Sequence, residues 1–158
     1  MPPQLGKAVP STFRDEELYV ETASSEHIEM YLKAVWLIEE NGETPVRITS
    51  ISKTLGVAAP SVVQMLRNLD GSYVTYLPRK GVKLTSKGTE IGRRMIRNTR
   101  LAELLMRRIL NVNLDGRVVC GLEHHMSDEF AEALCTLLGH PSRCPHGHTI
   151  PLGHCCKG

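Results

Sequence analysis

The sequence predicts a mainly α-helical protein in which an N-terminal winged helix-turn-helix is followed by a second helical unit. Three helical segments come first, because apolar residues recur at helical spacing in residues 28–38, 48–55 and 60–69. Two short runs rich in β-forming residues, 73–77 and 82–85, then flank a Pro-Arg-Lys-Gly turn, as the strands of a wing would. Two more segments with helical periodicity complete the predicted fold.

Local signals set the predicted ends of these elements. Ser24 or Ser25 offers an N-cap for the first helix, and Asn41-Gly42 ends it. Pro60 suits the first turn of the third helix, because proline lacks an N–H group that would be unsatisfied there anyway. A fourth helix is predicted from Ser86 to about residue 110. A single fifth helix is predicted to begin at Asp115 or Gly116 and to end at Gly139. Its predicted inward-facing residues are Val119, Leu122, Met126, Phe130 and Leu134.

Composition limits the class of protein. A chain of 158 residues that is 41% hydrophobic can bury a core, and its 4% of aromatic residues disfavours RNA modules that stack bases on aromatic rings. No apolar run approaches the ~18 residues of a membrane-spanning helix, and no secretion signal is evident. We therefore expect a cytoplasmic protein with no membrane partner, whose 5 cysteines are free thiols or metal ligands.

Charge is unevenly distributed along the chain. Residues 1–46 carry 3 basic and 9 acidic side chains, for −6, and residues 111–158 carry 3 and 5, for −2. Residues 47–110 carry 13 basic and 3 acidic side chains, for +10. A basic centre in a nearly neutral chain predicts a localised binding surface for a polyanion such as DNA.

The third helix is the predicted recognition helix, since the second helix of a helix-turn-helix lies in the major groove. Gln64 can pair with adenine through two hydrogen bonds, while proline and valine can contact a thymine methyl group. Direct base reading is therefore sparse, and DNA shape is expected to contribute. The predicted DNA-binding residues are Pro60, Ser61, Val63 and Gln64 on this helix, Arg79 and Lys80 at the wing tip, and Arg47, Thr49 and Lys53 as phosphate contacts.

A metal-ligating pattern lies in the fifth helical segment. Cys120, Glu123 and His124 stand at i, i+3 and i+4, which places a thiolate, a carboxylate and an imidazole on one helix face. Such a set suits a first-row divalent ion. From the spacing alone, the alternative of a core thiol beside two surface residues remains open.

Taken together, these motifs resemble the diphtheria-toxin-repressor family of metal-dependent regulators, over residues 26 to about 151. The most specific stretch is Cys-x-x-Glu-His-x-Met-Ser-Asp-Glu, which begins at Cys120. The other matching segments are Glu29-Met30-Tyr31-Leu32, Thr44-Pro45-Val46-Arg47, Pro60-Ser61-Val62-Val63-Gln64, Leu84-Thr85-Ser86-Lys87-Gly88, Arg100-Leu101-Ala102-Glu103 and Cys144-Pro145-His146-Gly147.

The resemblance implies a homodimer whose helical domain holds both the dimer contacts and the metal. It implies a primary site of Met30, Cys120, Glu123 and His124. Only Glu103 of the family's ancillary site is kept, because Thr99 and Gly116 stand where the family has histidines. The implied organisation is a flexible leader (1–23), a winged helix-turn-helix DNA-binding domain (24–96), a helical dimerisation and metal-binding domain (97–140) and a Cys/His-rich tail (141–158).

The predicted function is that of a metal-dependent transcriptional repressor, and not of an enzyme. Loaded with Fe(II), it would bind a palindromic operator as a dimer and control iron-uptake genes. Iron is preferred because Met30 and Lys33 replace two carboxylates of the manganese-type branch. The alternatives are a sensor of Mn(II) or another divalent transition metal, and a redox regulator that switches through tail thiols.

Overall fold

The computed structural model describes residues 14–156, with side chains from Ser25 onward. Six α-helices and one hairpin make up this part of the chain, together with a π-helical turn after α4 and a 3-10 turn near the end. In chain order they are α1 (Arg14–Glu40), α2 (Ile48–Leu55), α3 (Ala59–Leu69), β1 (Val74–Leu77), β2 (Gly81–Leu84), α4 (Ser86–Leu104), the π-helical turn (Leu105–Ile109), α5 (Gly116–His125), α6 (Asp128–Leu137) and the 3-10 turn (His154–Cys156).

The N-terminal half is a winged helix-turn-helix, as predicted. Gly56, with φ 67°, lets the chain reverse between α2 and α3. The antiparallel wing pairs Val74 with Leu84, and Val46 adds a third extended segment by exchanging two backbone hydrogen bonds of 2.9 Å with Val82. This half has a hydrophobic core of its own, formed by Tyr31, Leu32, Val35, Val46, Ile51, Val62, Leu66, Leu69, Val74 and Val82.

Helix α4 joins this core to a second one in the C-terminal half, built from residues of α4, α5, α6 and the tail. Arg100 of α4 is buried and donates to both carboxylate oxygens of Glu40, at 3.0 and 2.7 Å. It also donates to the backbone carbonyl of Thr149 in the tail. One buried guanidinium group therefore ties α1, α4 and the tail together.

Two predicted helix boundaries differ from the structure. Helix α1 is described from Arg14 onward, so part of the predicted leader is helical; residues 1–13 lie outside the described residues. No glycine or proline separates Arg14 from Ser24, so nothing local stops the helix from extending upstream. The predicted fifth helix is two helices, because Met126 is extended and Ser127 caps α6 by accepting from Phe130 N–H.

This break changes which residues face the core. Phe130, predicted to face inward, is 48% exposed, whereas Leu134 is buried as predicted. The basic centre is also partly structural, since Arg97 and Arg100 are buried in α4. Among the described residues, no helix is both long and apolar enough to cross a membrane.

Candidate metal centre and DNA interface

The cluster predicted on one helix face is present on α5. Cys120, Glu123 and His124 each direct one ligand atom to a common point, and these atoms lie within 4.8 Å of one another. The side chains of Glu123 and His124 are only 2% exposed, so the alternative in which both lie on the surface is wrong. Burying these polar groups is costly unless they are partnered or bind an ion.

His124 has the surroundings of a metal ligand. Its Nδ1 lies 2.8 Å from Oε2 of Glu29 on α1, which fixes the orientation of the imidazole ring. Its Nε2 is buried and has no hydrogen-bond partner among the described residues. A carboxylate on one ring nitrogen and a metal on the other is the usual arrangement of ligating histidines.

The carboxylate of Glu123 already binds a cation. Lys33 Nζ lies 3.0 and 2.9 Å from its two oxygens, and Thr99 Oγ1 donates to Oε2. The ammonium group neutralises a carboxylate that would otherwise be buried without a counter-charge. A metal ion that binds Glu123 therefore has to compete with Lys33 for it.

Met30 borders the same site from α1. It lines a cleft of about 470 Å³ together with Lys33, Cys120 and Glu123. Burial raises the pKa of the Cys120 thiol, and the nearby Glu123 carboxylate raises it further. The raised pKa keeps the thiol protonated at neutral pH, so a metal ion that bound here would release a proton.

A second cluster lies at another part of this cleft. Glu103, Cys144 and His146 have ligand atoms within 4.8 Å of one another, and His146 Nδ1 is 3.3 Å from Glu103 Oε2. Thr99, at one position where the family has histidine, instead hydrogen-bonds to Glu123. The tail thus brings a thiol and an imidazole to Glu103.

The predicted DNA-binding residues lie on the surface of the N-terminal half. On α3 all are exposed except Val63, which is half-buried. Arg79 and Lys80 are exposed at the wing tip, where Arg79 takes a positive φ of 67°. Thr49 and Lys53 are exposed on α2. Arg47, just before α2, is also exposed, and its Nη2 lies 2.7 Å from Glu43 Oε1.

Sequence reasoning missed two charged residues of α1 that contact the Cys120, Glu123 and His124 cluster. In the sequence, Glu29 stands out only as part of a segment that matches the family, and Lys33 only as the replacement of a carboxylate. Both lie on the side of α1 that meets α5. Glu29 directly precedes Met30, and Lys33 follows it by three residues. Charged residues in this spacing around a ligand position were the available signal.

A winged helix-turn-helix joined by a buried helix to a Cys-Glu-His cluster is the architecture of a metal-responsive DNA-binding regulator. Residues 23–82 match the family model of the N-terminal DNA-binding domain of iron-dependent repressors. Residues 85–152 match that of their metal-binding and dimerisation domain. The chain therefore belongs to the iron-dependent repressor family, a family of DNA-binding repressors and not of enzymes, as the sequence predicted.

Individual relatives agree with this assignment. The diphtheria toxin repressor of Corynebacterium diphtheriae is 33% identical over 126 residues, which cover 78% of this chain and 55% of the relative. The structure of the manganese regulator SloR is similar with a TM-score of 0.68 at 34% identity, covering 79% of this chain and 59% of the other. The crystal structure of IdeR from T. acidophilum is similar with a TM-score of 0.64 at 30% identity, covering 78% of this chain and 58% of the other. The chain spans about half the length of these relatives.

The contact between Glu29 and His124 leads to a prediction. Glu29→Ala should lower metal affinity about 10- to 100-fold, because outer-shell partners of ligating histidines contribute that much. Isothermal titration with Mn(II), which does not require anaerobic handling, measures the change. Glu26→Ala is the matched control, since Glu26 holds the exposed His125 at 3.2 Å between the same two helices. Equal affinity in the two variants would contradict the role of Glu29.

Proposed function

We propose that this protein is a transcriptional repressor that binds operator DNA as a homodimer when Fe(II) occupies a site formed by Met30, Cys120, Glu123 and His124. The observation that carries the proposal is the buried Nε2 of His124, which has no hydrogen-bond partner among the described residues and lies 3.6 Å from Oε1 of Glu123. This cluster lies between α1, which contributes to the core of the DNA-binding half, and α5 of the C-terminal half.

The coupling follows from the packing of α1. This helix packs against α2, α4 and β2, so its position affects the orientation of α3 and of the wing. Glu29, Met30 and Lys33 all lie on α1, whereas Cys120, Glu123 and His124 lie on α5. When bound, a divalent ion would supply coordination bonds that join the two helices. These residues then favour one arrangement of the halves to the extent that they bind the ion better in it.

The donor set supports iron over manganese. A thioether and a thiolate are soft ligands, whereas Mn(II) prefers carboxylate oxygens. At Lys33 this chain has an ammonium group in contact with Glu123, where a carboxylate would have favoured the harder ion. Relatives are named both as iron-dependent repressors and as manganese regulators, so the identity of the ion is a prediction for experiment.

The cluster of Glu103, Cys144 and His146 supports an ancillary site with replaced ligands. Glu103 is the family position that this chain keeps, and the tail supplies the other two donors. In this proposal, Cys144 and His146 take over from the histidines that Thr99 and Gly116 replace. The second site would secure the tail to the π-helical end of α4.

The surface of the C-terminal half supports dimerisation there. The large apolar side chains that are exposed in the described part of the chain all belong to this half: Ile109, Leu110, Val112, Val118, Phe130, Leu137 and Leu152. Such a concentration is typical of an interface between subunits. Two-fold symmetry then predicts a palindromic operator read by two copies of α3 and contacted by the wings.

The proposal is tested by anaerobic capture of sheared genomic DNA on the purified protein, followed by sequencing. Capture is run with Fe(II), with Mn(II) and with chelator. We expect a palindromic sequence to be enriched with Fe(II) at lower metal concentration than with Mn(II), and not with chelator. Equal enrichment with chelator would overturn metal dependence and favour the redox regulator, and preferential enrichment with Mn(II) would overturn the choice of iron.

A further inference from the structure

A third cluster of metal-binding side chains lies away from the cleft, between α6 and the end of the tail. Cys135, His140, Cys155 and Cys156 each offer one ligand atom, and the four atoms lie within 4.8 Å of one another. The family resemblance assigns no role to these residues, and none of them lines the cleft beside Met30. We propose that they bind one zinc ion in a closed structural site that fastens the tail to α6.

The separations of the ligand atoms fit tetrahedral zinc. The Sγ of Cys156 lies 3.5 Å from that of Cys135 and 3.7 Å from that of Cys155. His140 Nδ1 lies 3.7 Å from the sulfur atoms of both Cys135 and Cys156. In a tetrahedral site with zinc–sulfur bonds of about 2.3 Å, the sulfur atoms lie about 3.8 Å apart. Small movements of the side chains would bring all four donors to bonding distance.

The backbone places His140 next to Cys135. Helix α6 ends after Leu137, and Gly139 and His140 both take positive φ, at 77° and 51°. The amide of His140 then donates to the carbonyl of Cys135 at 2.9 Å. A positive φ is uncommon for a residue with a side chain, and such conformations concentrate at functional sites.

Arg97 provides a charge that matches such a site. It is buried in α4, and its Nη2 donates to Cys155 Sγ at 3.3 Å. Its Nε has no partner among the described residues. Three thiolates, a neutral imidazole and a dication carry one net negative charge, which the guanidinium group would balance. Without a thiolate beside it, Arg97 is a buried cation with little compensation.

The tail packs closely against the same guanidinium group. Gly153 lies directly against Arg97, and a Cβ atom at this position would overlap Arg97. The chain can therefore pass close enough for Cys155 and Cys156 to reach Cys135, which is 1% exposed. The number and kind of donors favour zinc, because structural zinc sites use four Cys and His ligands and leave no open position.

The test measures zinc in the whole chain of 158 residues. Wild-type protein, purified under reducing conditions and dialysed against EDTA, is expected to retain about one zinc ion per chain by mass spectrometry of the metal. Cys155→Ser and Cys156→Ser should reduce this to about zero. Cys120→Ala is the matched control: it removes a ligand of the regulatory site and should leave the retained zinc unchanged.

X-ray absorption of the wild-type protein gives a result that does not depend on the folding of a variant. We expect a shell of three sulfur atoms and one nitrogen atom around zinc, with zinc–sulfur distances of about 2.3 Å. A wild-type protein without retained zinc would overturn the proposal, as would a disulfide among these cysteines in the reduced preparation. Loss of zinc in Cys120→Ala but not in Cys156→Ser would do so as well.

Discussion

Replacing His124 with alanine is expected to abolish DNA binding under limiting metal. The imidazole is 2% exposed, is oriented by Glu29, and has a buried Nε2 that makes no hydrogen bond to the described residues and lies 3.6 Å from Glu123 Oε1. Removal of an outer-shell partner of a ligand already lowers metal affinity about 10- to 100-fold. Loss of the ligand itself should therefore raise the metal concentration for half-maximal DNA binding more than about 100-fold. Anaerobic fluorescence anisotropy with the captured operator measures this metal concentration.

His125→Ala is the control for this experiment. It removes a neighbouring histidine that pairs with Glu26 on the surface, and its metal response should match the wild type. Cys120→Ala provides a second test of the site, because its half-buried thiol can be shortened with little effect on the core. Circular dichroism confirms that each variant is folded. Unchanged metal dependence in both His124→Ala and Cys120→Ala would remove the site assignment.

Replacing Gly88 with alanine is expected to destabilise the protein by about 3 kcal/mol, at the upper end of the usual cost of overpacking. A Cβ atom at this position would overlap the backbone carbonyl oxygen of Tyr73. That oxygen accepts a hydrogen bond of 3.0 Å from Thr85, which in turn caps α4 by accepting from Gly88 N–H. The substitution therefore separates the wing from the start of α4. Thermal unfolding at fixed protein concentration should show a decrease of roughly 10 °C.

Gly121→Ala is the matched control for Gly88→Ala. Gly121 also lies in a helix, but a Cβ atom there has nothing within 4 Å. Alanine is favoured over glycine in a helix interior, so this variant should be more stable by about 1 kcal/mol when measured with chelator. Similar stabilities for the two variants would show that the contact between Gly88 and Tyr73 does not limit packing.

The helix-turn-helix could be predicted well because its boundaries depend on short-range signals. Gly56 supplies the left-handed turn after α2, and Pro60 lies in the first turn of α3. The wing was predicted from β-forming residues around a proline-containing turn. In each case the deciding contacts lie within a few residues along the chain, so a local pattern contains the necessary information.

The break between α5 and α6 could not be predicted from the pattern. Leu122, Met126, Phe130 and Leu134 continue a helical period straight through it, which is why a single helix was expected. The buried Asn98 of α4 donates to the backbone carbonyls of Glu123 and Met126, and so satisfies groups that a continuous helix would use itself. A distant side chain therefore acts together with the local Ser127 cap of α6 in ending α5.

The family, the winged helix-turn-helix and the three donors on one turn of α5 could be predicted because they depend on residue identity at short spacing. Which distant groups contact those donors depends on the packing of the helices. Glu29 and His124 are 95 positions apart, and Lys33 and Glu123 are 90 apart. Tertiary structure also placed Cys135 beside Cys156, and it buried Arg97 and Arg100, which the charge count assigned to the DNA-binding surface. Such meetings depend on how helices pack, and helix packing is fixed by the whole core and not by spacing along the chain.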